Sequence, residues 1–409
     1  MFEKRYKSHH DVGNILSKYA KKESATEKDF LNLLEQENVS KQLGLYLHTP
    51  YCDKICSFCN MNRKKVDTEL EEYHQYLCQQ IEYYRQFSFC QSSDLDVVFF
   101  GGGTPTIYSH RQLQNILQCL QKNFHFSTSY EMTFETTLHN LGVEKAKLLQ
   151  ENAVNRLSVG IQTFSNRGRK MLNRTFSKEE AVQRLQDLRK AFHGLLCIDI
   201  IYNYPEQSDE EVLEDIRIAS DLGVDSISFY SLMIQEGSEI LKNISKESIE
   251  KFYDIKRDEH LRNLFYQESS LRRDYSLLEL TKITNGRDKY QYIRTHNLLP
   301  IGVGAGGHVE DISCYHMNKK MSFYSKTPKD SIRMSQLSGL FQFDSFSEIK
   351  LQELTGTRYP KVREKIEEYI KMGWLQYKNK QFSYTENGVF WGNNINAELL
   401  EVALSNSVN

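Results

Sequence analysis

Leu43-Gly44-Leu45-Tyr46-Leu47-His48-Thr49-Pro50-Tyr51-Cys52-Asp53-Lys54-Ile55-Cys56-Ser57-Phe58-Cys59 reads as a short apolar strand, Leu43–His48, running straight into a Cys-x3-Cys-x2-Cys loop. Three thiolates this close in sequence can wrap one soft metal centre, because sulfur ligands favour iron–sulfur clusters, zinc or copper(I). A structural zinc site wants four protein ligands. His48, His74 and Cys78 are the available fourth ligands, and none completes a familiar second pair. Three cysteines on a four-iron cluster would leave one iron without a protein ligand. That open iron is where chemistry can happen.

Outward from this loop the chain repeats a rhythm of short apolar strand and longer helical pattern. The further strands are expected at Asp96–Phe100, Tyr130–Glu135, Arg156–Ile161, Leu195–Ile201 and Ser226–Tyr230. Their richness in Val, Ile, Phe and Tyr suits strands buried on both faces. Capping boxes are expected at Thr68 with Glu71, Ser177 with Glu180 and Ser208 with Glu211. After the last, Val212, Ile216, Ala219 and Leu222 form an apolar stripe that Gly223 stops. Six strand–helix units imply an α/β fold: a parallel sheet curved into an open, partial (β/α)6 barrel with helices outside.

The chain divides into a helical N-terminal extension (1–42), the barrel (43–235), a connecting segment that closes the active site (236–325) and a C-terminal domain (326–409). In the last, helices at Phe346–Thr355 and Pro360–Met372 precede a hairpin of Trp374–Tyr377 and Phe382–Tyr384. That layout is winged-helix-like. A capping box of Ser345 and Glu348 should open its first helix, and Pro360 suits the first turn of the second.

The length of 409 residues suggests two or three domains at ~150 residues each. Lys and Arg total 52 against 54 Asp and Glu, a formal charge of -2 that argues against a nucleic-acid-coating or polybasic membrane-binding protein. No apolar run approaches the ~18 residues of a membrane span. Met1-Phe2-Glu3-Lys4-Arg5-Tyr6 has no apolar stretch behind its charges, so a cytoplasmic location is expected. Five cysteines lie singly, at 78, 90, 119, 197 and 314, and read as buried apolar side chains.

The stretch Tyr46-Leu47-His48-Thr49-Pro50-Tyr51-Cys52 with its cysteine triplet resembles the signature of radical S-adenosylmethionine (SAM) enzymes, in the branch around oxygen-independent coproporphyrinogen III dehydrogenase. The likeness continues through Phe99–Thr106, Asn155–Phe164, Ile198–Pro205 and Ile301–His308. It implies a [4Fe–4S] cluster on Cys52, Cys56 and Cys59 whose open iron chelates SAM. An electron from the cluster then cleaves SAM to a 5′-deoxyadenosyl radical, while the protein positions the cofactor and excludes water and oxygen.

The other blocks fall at strand ends, where a barrel collects its reactive groups. Gly101-Gly102-Gly103, followed by Thr104, lets the backbone approach a ligand and offer it N–H and C=O groups. Glu135 ends the third strand and Asp199 lies inside an apolar run. A buried carboxylate is costly unless paired, with SAM hydroxyls and ammonium as one set of partners and an internal bridge to Arg156 or Arg174 as the other. By resemblance, Gly102, Gly103, Thr104, Glu135, Gln162, Arg174 and Asp199 bind SAM, Phe58 lies against the adenine and Tyr46 near the cluster. Ordinary core packing is the alternative for those two aromatics. Gly302–His308 is too glycine-rich for an ordinary strand and suits close backbone approach to a ligand. The resemblance gives His308 a second SAM or a metal in the substrate, with a satisfied or exposed histidine as the alternative.

Three relatives compete. The coproporphyrinogen dehydrogenase pattern has a fourth cysteine where this chain has Met61. The heme chaperone has His-Asn-x-x-Tyr-Trp, whereas His296-Asn297 here is followed by Pro300-Ile301 at the Tyr-Trp position. The anaerobilin synthase group is matched in Leu138–Gly142, Gly304–Gly307, Met317-Asn318 and Tyr324. Membership there implies a methyltransferase that opens heme without oxygen, using SAM in two roles and a flavodoxin- or ferredoxin-type electron donor. Arg272, Arg273, Arg287 and Arg294 are available for the heme propionates, with a solvated basic face as the alternative. His9-His10 could ligate iron or simply face solvent.

Overall fold

The structure, a computed structural model, describes residues 2–19, 22–59, 64–66, 69–234, 238–272, 275–294 and 297–405. Six strands, β1 (Gln42–Thr49), β2 (Asp94–Gly102), β3 (His125–Thr136), β4 (Arg156–Gln162), β5 (Leu195–Tyr202) and β6 (Ser226–Ser231), pair in parallel in sequence order. Each contains one of the expected strands. Helices α1 (Leu70–Tyr84), α2 (His110–Asn123), α3 (Val143–Glu151), α4 (Lys178–Ala191) and α5 (Asp209–Asp221) connect them.

Alternation along the strands gives the sheet two unlike faces. Leu45, Val98, Phe134, Leu157, Ile198 and Ile227 belong to one continuous buried core with the helices. Each such side chain contributes about 1.5–3 kcal/mol by leaving water, and Phe100 stacks on Phe134 with ring centroids 4.0 Å apart. The opposite, concave face carries Glu135, Ser158, Asp199 and Ser228 around a cavity. It is this polar face that positions the site.

The sheet does not stop at six strands. Beyond β6 lie β7 (Ser276–Glu279) and β8 (Lys282–Thr284), with β8 antiparallel to β6. Beyond β1 lies β9 (Leu298–Ile301), parallel to it, followed by an antiparallel meander of β10 (Gly306–Val309), β11 (Ile312–His316) and β12 (Ser322–Lys326). Glu23–Ser24 pairs on the outer edge, completing thirteen strands. Residues Gly306–His308 therefore are ordinary ladder partners of Tyr315, Cys314 and Ser313, contrary to the expectation drawn from their glycines.

Capping boxes close at Ser177/Glu180 and Ser208/Glu211, and Gly223 follows α5 at φ +66°. Thr68 lies outside the described residues; Glu69 precedes α1 without a side-chain cap. The C-terminal part forms its own core around Phe346, Ile366, Phe382 and Ile395. Its strands Ser345–Ser347, Leu375–Lys378 and Gln381–Tyr384 make one small sheet beside helices at Glu348–Thr355 and Tyr359–Lys371, Pro360 lying in the first turn of the latter. The expected Ser345/Glu348 box does not form. Ser345 is spent in a strand against Ser383, so Ser347 precedes the helix, and its side chain accepts no capping hydrogen bond. Arg5 fastens this region to the barrel, donating to Asp258 at 2.8 Å, Tyr202 at 2.8 Å and the Phe390 carbonyl at 3.1 Å. Among the described residues no helix is long and apolar enough to cross a membrane.

Candidate functional site

The register Thr49↔Gly102 sets the ends of β1 and β2 side by side, so the cysteine loop and the glycine loop share one wall. Their fit requires glycine. Gly102 sits at φ +107°, and a Cβ there would lie 2.7 Å from the His48 ring. One on Gly103 would collide with the Tyr51 carbonyl and stand 3.0 Å from Cys52 Sγ. The glycine loop's donors are already committed. Gly103 N–H donates to Thr49 O at 2.6 Å, Thr104 N–H to Tyr51 O at 2.8 Å, and Gly102 N–H to Glu135 Oε2 at 3.3 Å. The loop thus cradles the cysteine strand first, rather than offering these N–H groups to a ligand as its sequence implied.

Cys52 is buried, while Cys56 and Cys59 are half-buried. The Thr104 hydroxyl donates to Cys52 Sγ at 3.5 Å, and Cys59 N–H turns back onto Cys56 O at 3.2 Å. Arg174, from the segment after β4, donates through Nη1 to Cys56 Sγ at 2.8 Å and through Nη2 to Gly160 O. A guanidinium against sulfur compensates the negative charge that a metal-bound thiolate carries. Its Nε is buried without a partner. Phe58 packs beside Leu172, Ile201 and Leu232. Among the described residues no fourth ligand joins the three thiols, nor are the thiols drawn to one point. His74 is turned to Glu71 O at 2.6 Å, and Cys119 approaches Cys78 O at 3.6 Å. Three soft donors on one loop and a partly unsatisfied guanidinium beside them suit a cluster carrying an open coordination position.

Glu135 and Asp199 line a cavity of about 190 Å³ in the concave face. Neither has the internal bridge that was the alternative: Arg156 is held by Asp288, through Nε at 3.3 Å and Nη2 at 3.0 Å, and Arg174 by sulfur. Burial, then the neighbouring Asp199, pushes the Glu135 carboxyl up to about 7. Such a carboxylate is a receptor waiting for a cation or hydroxyls. Tyr46 stands on the same face, its hydroxyl 3.0 Å from His48 Nδ1. Burial lowers His48 to about 4, and its Nε2 has no partner. Gln162 adopts φ +72° at the irregular end of β4; such strain in a non-glycine residue clusters at ligand sites. His308 is exposed on β10, in register with Leu298 and Ser313.

Two of the four arginines available for propionates are engaged elsewhere. Arg287 pairs at 2.7 Å with Asp225, at the start of β6 and thus at the far end of the barrel, and Arg272 pairs with Glu268 at 2.8 Å. Arg273, His296 and the side chains of Arg294, His9 and His10 lie outside the described residues. Sequence reasoning missed His48 as a member of the concave face, and it missed Arg156–Asp288 and Lys282. The one signal for the latter three was a charged residue within or beside an apolar strand.

Residues 46–219 match the model of the Radical SAM superfamily. Anaerobilin synthase of Escherichia coli O157:H7 is 24% identical over 90% of this chain and 86% of its own length. Heme chaperone HemW of Lactococcus lactis is also 24% identical, over 87% of this chain and 97% of its own. Coproporphyrinogen III oxidase (HemN) from Escherichia coli, a radical SAM enzyme, superposes with a TM-score of 0.75 at 18% identity, covering 93% of this chain and 94% of that one. Proteins of this kind use a [4Fe–4S] cluster and SAM, and the cysteine loop, Arg174 and the two receptor carboxylates fit both. The chain thus carries a radical SAM domain over residues 46–219, has the fold of that coproporphyrinogen III oxidase, and is similar along most of its length to anaerobilin synthase and the heme chaperones.

Proposed function

We propose that this protein is a radical SAM methyltransferase that opens the heme porphyrin ring without oxygen, releasing iron and a methylated linear tetrapyrrole. The observation that carries the reading is where the concave face leads. Pro300 of β9 is in register with Tyr46, and the same face continues over the meander. There Tyr315 faces Phe323 across a ladder pair, and Met317 N–H meets Met321 O at 3.0 Å at the turn. These four side chains are 39%, 55%, 52% and 48% exposed. An apolar, aromatic and methionine-lined surface beside a polar reaction chamber suits a planar macrocycle.

Bound cluster and SAM supply one-electron cleavage and a methyl group. Cys52, Cys56 and Cys59 would hold the cluster. Glu135 and Asp199 would take the ammonium and ribose of SAM, with Tyr46, Gly102, Gly103, Thr104, Gln162 and Arg174 shaping the chamber and Phe58 lying against the adenine. His308, on the exposed face, would meet the substrate or a second SAM. A flavodoxin- or ferredoxin-type donor in the cytoplasm would deliver the electron.

The second reading is a heme carrier, favoured by the similar likeness to HemW. Against it, Asn297 is engaged structurally, exchanging hydrogen bonds with Glu310 at 2.8 and 3.2 Å to clip β9 to β10. The test is anaerobic incubation of cluster-loaded protein with heme, SAM and a low-potential reductant, followed by mass spectrometry. Ring opening predicts loss of the heme spectrum, 5′-deoxyadenosine and a methylated linear product. Heme that persists while deoxyadenosine accumulates refutes the substrate, and transfer of intact heme to an acceptor supports the carrier.

A further inference from the structure

Lys282 is a lysine where a strand should carry an apolar or neutral residue. It is 3% exposed, at the first position of the three-residue strand β8, outside the six barrel units. A buried ammonium is costly unless compensated. Ser228 Oγ accepts from Lys282 Nζ at 2.6 Å, and the Tyr290 ring lies 4.3 Å away. Two buried carboxylates share its surroundings: Glu279, its ladder partner on β7, and Asp288, on which its charge bears. The register explains its direction. Lys282 pairs with Ser228, and Ser228 pairs with Asp199, so the three stand in one row across β8, β6 and β5. Lys282, Ser228, Asp199 and Glu135 all line the same cavity.

Arg156, the other buried cation there, has its charge taken up by Asp288. Among the described residues that line the cavity, Lys282 is the basic side chain standing in the same cross-strand row as Asp199, and its charge also bears on Glu135. We propose that Lys282 is a positioning residue for the SAM site: by way of Ser228 it serves as internal counter-ion to the facing carboxylates Asp199 and Glu135, offsetting their mutual repulsion so that they can receive the ligand's hydroxyls and ammonium. This rests on the reading that those carboxylates hold SAM. The groups bearing on Glu135 are Asp199 against ionisation, Arg156 and Lys282 in favour of it, and the phenols of Tyr46, Tyr230, Tyr290 and Tyr292 around it.

Binding of S-adenosylhomocysteine and SAM to the cluster-loaded protein, measured by equilibrium dialysis between pH 6 and 9, tests this without turnover. Raising the Glu135 midpoint by one unit lowers its ionised fraction about tenfold below that midpoint. Lys282→Met should thus weaken SAM binding about fivefold near pH 7, approaching about tenfold toward pH 6, with the deficit shrinking toward pH 9. Lys282→Arg should restore it, and Ser228→Ala should show a smaller shift of the same sign. Should Lys282→Met fail to fold, the Ser228→Ala pH profile decides alone. Unchanged binding and an unchanged pH midpoint overturn the inference. So does a deficit equal at every pH that arginine does not rescue. Wild-type protein that binds no SAM at all overturns the underlying site reading, and the inference with it.

Discussion

Replacing Glu135 by Gln should make the protein more stable and less able to bind its cofactor. The side chain keeps its shape, and its remaining oxygen can still accept from Gly102 N–H, now 3.3 Å from Oε2. What disappears is a charge held in a buried site beside Asp199. The carboxyl is raised from 4.5 to about 7 in the folded chain. At 1.36 kcal/mol per unit, holding it ionised costs the fold about 3 kcal/mol at pH 8. The sign follows from proton binding: between pH 4.5 and 7 the folded state binds more protons than the unfolded one, so this contribution to stability falls as pH rises through that window. Below pH 4.5 both states are protonated and the cost vanishes. Thermal melts of cluster-loaded wild type and Glu135→Gln, without SAM, should therefore diverge at pH 8 with the variant higher, and converge near pH 4.5. SAM added at pH 8 should raise the melting temperature of the wild type alone. A variant that melts lower than wild type at pH 8 would refute the reasoning, because Glu135 would then have a stabilising partner in the folded protein.

Three further perturbations follow from the geometry. Gly103→Ala drives a methyl group into the Tyr51 carbonyl and toward Cys52 Sγ; reconstituted protein should lose most of its iron by colorimetric assay while its far-ultraviolet circular dichroism is retained. Arg156→Met leaves Asp288 buried without its guanidinium and should cost about 3–5 kcal/mol in urea unfolding, whereas Arg156→Met with Asp288→Leu should recover most of it. Replacing Tyr315 and Phe323 together by Ser removes two exposed rings from the meander face; heme affinity by spectral titration should fall at least tenfold, about 1.4 kcal/mol, while deoxyadenosine formation without heme is kept.

The parts of the site that are local in sequence were legible. Cys52, Cys56 and Cys59 lie within one loop, and each barrel strand carries a run of residues that only a buried strand accommodates. The concave face was harder, because its polar members are single residues whose partners are distant: Arg156 and Asp288 are 132 positions apart, and Lys282 reaches Ser228 across 54. Spacing cannot show such pairs; the strand register makes them. For the same reason the sequence left Arg287 between a propionate and a solvated face, whereas it pairs with Asp225. At Ser345 a correct local pattern lost to tertiary pairing, since a strand partner claimed the residue before a helix could. In the glycine loop, composition gave the close approach but not its object, which is the cysteine strand itself.

Electron paramagnetic resonance of the anaerobically reconstituted, reduced protein, recorded with and without SAM, tests most directly whether the three-thiol loop holds a cluster with an open iron. A four-iron signal whose g-values move when SAM is added, and which is lost in Cys52→Ala, is the predicted result. Bound zinc in place of iron, or a four-iron signal indifferent to SAM, would contradict it.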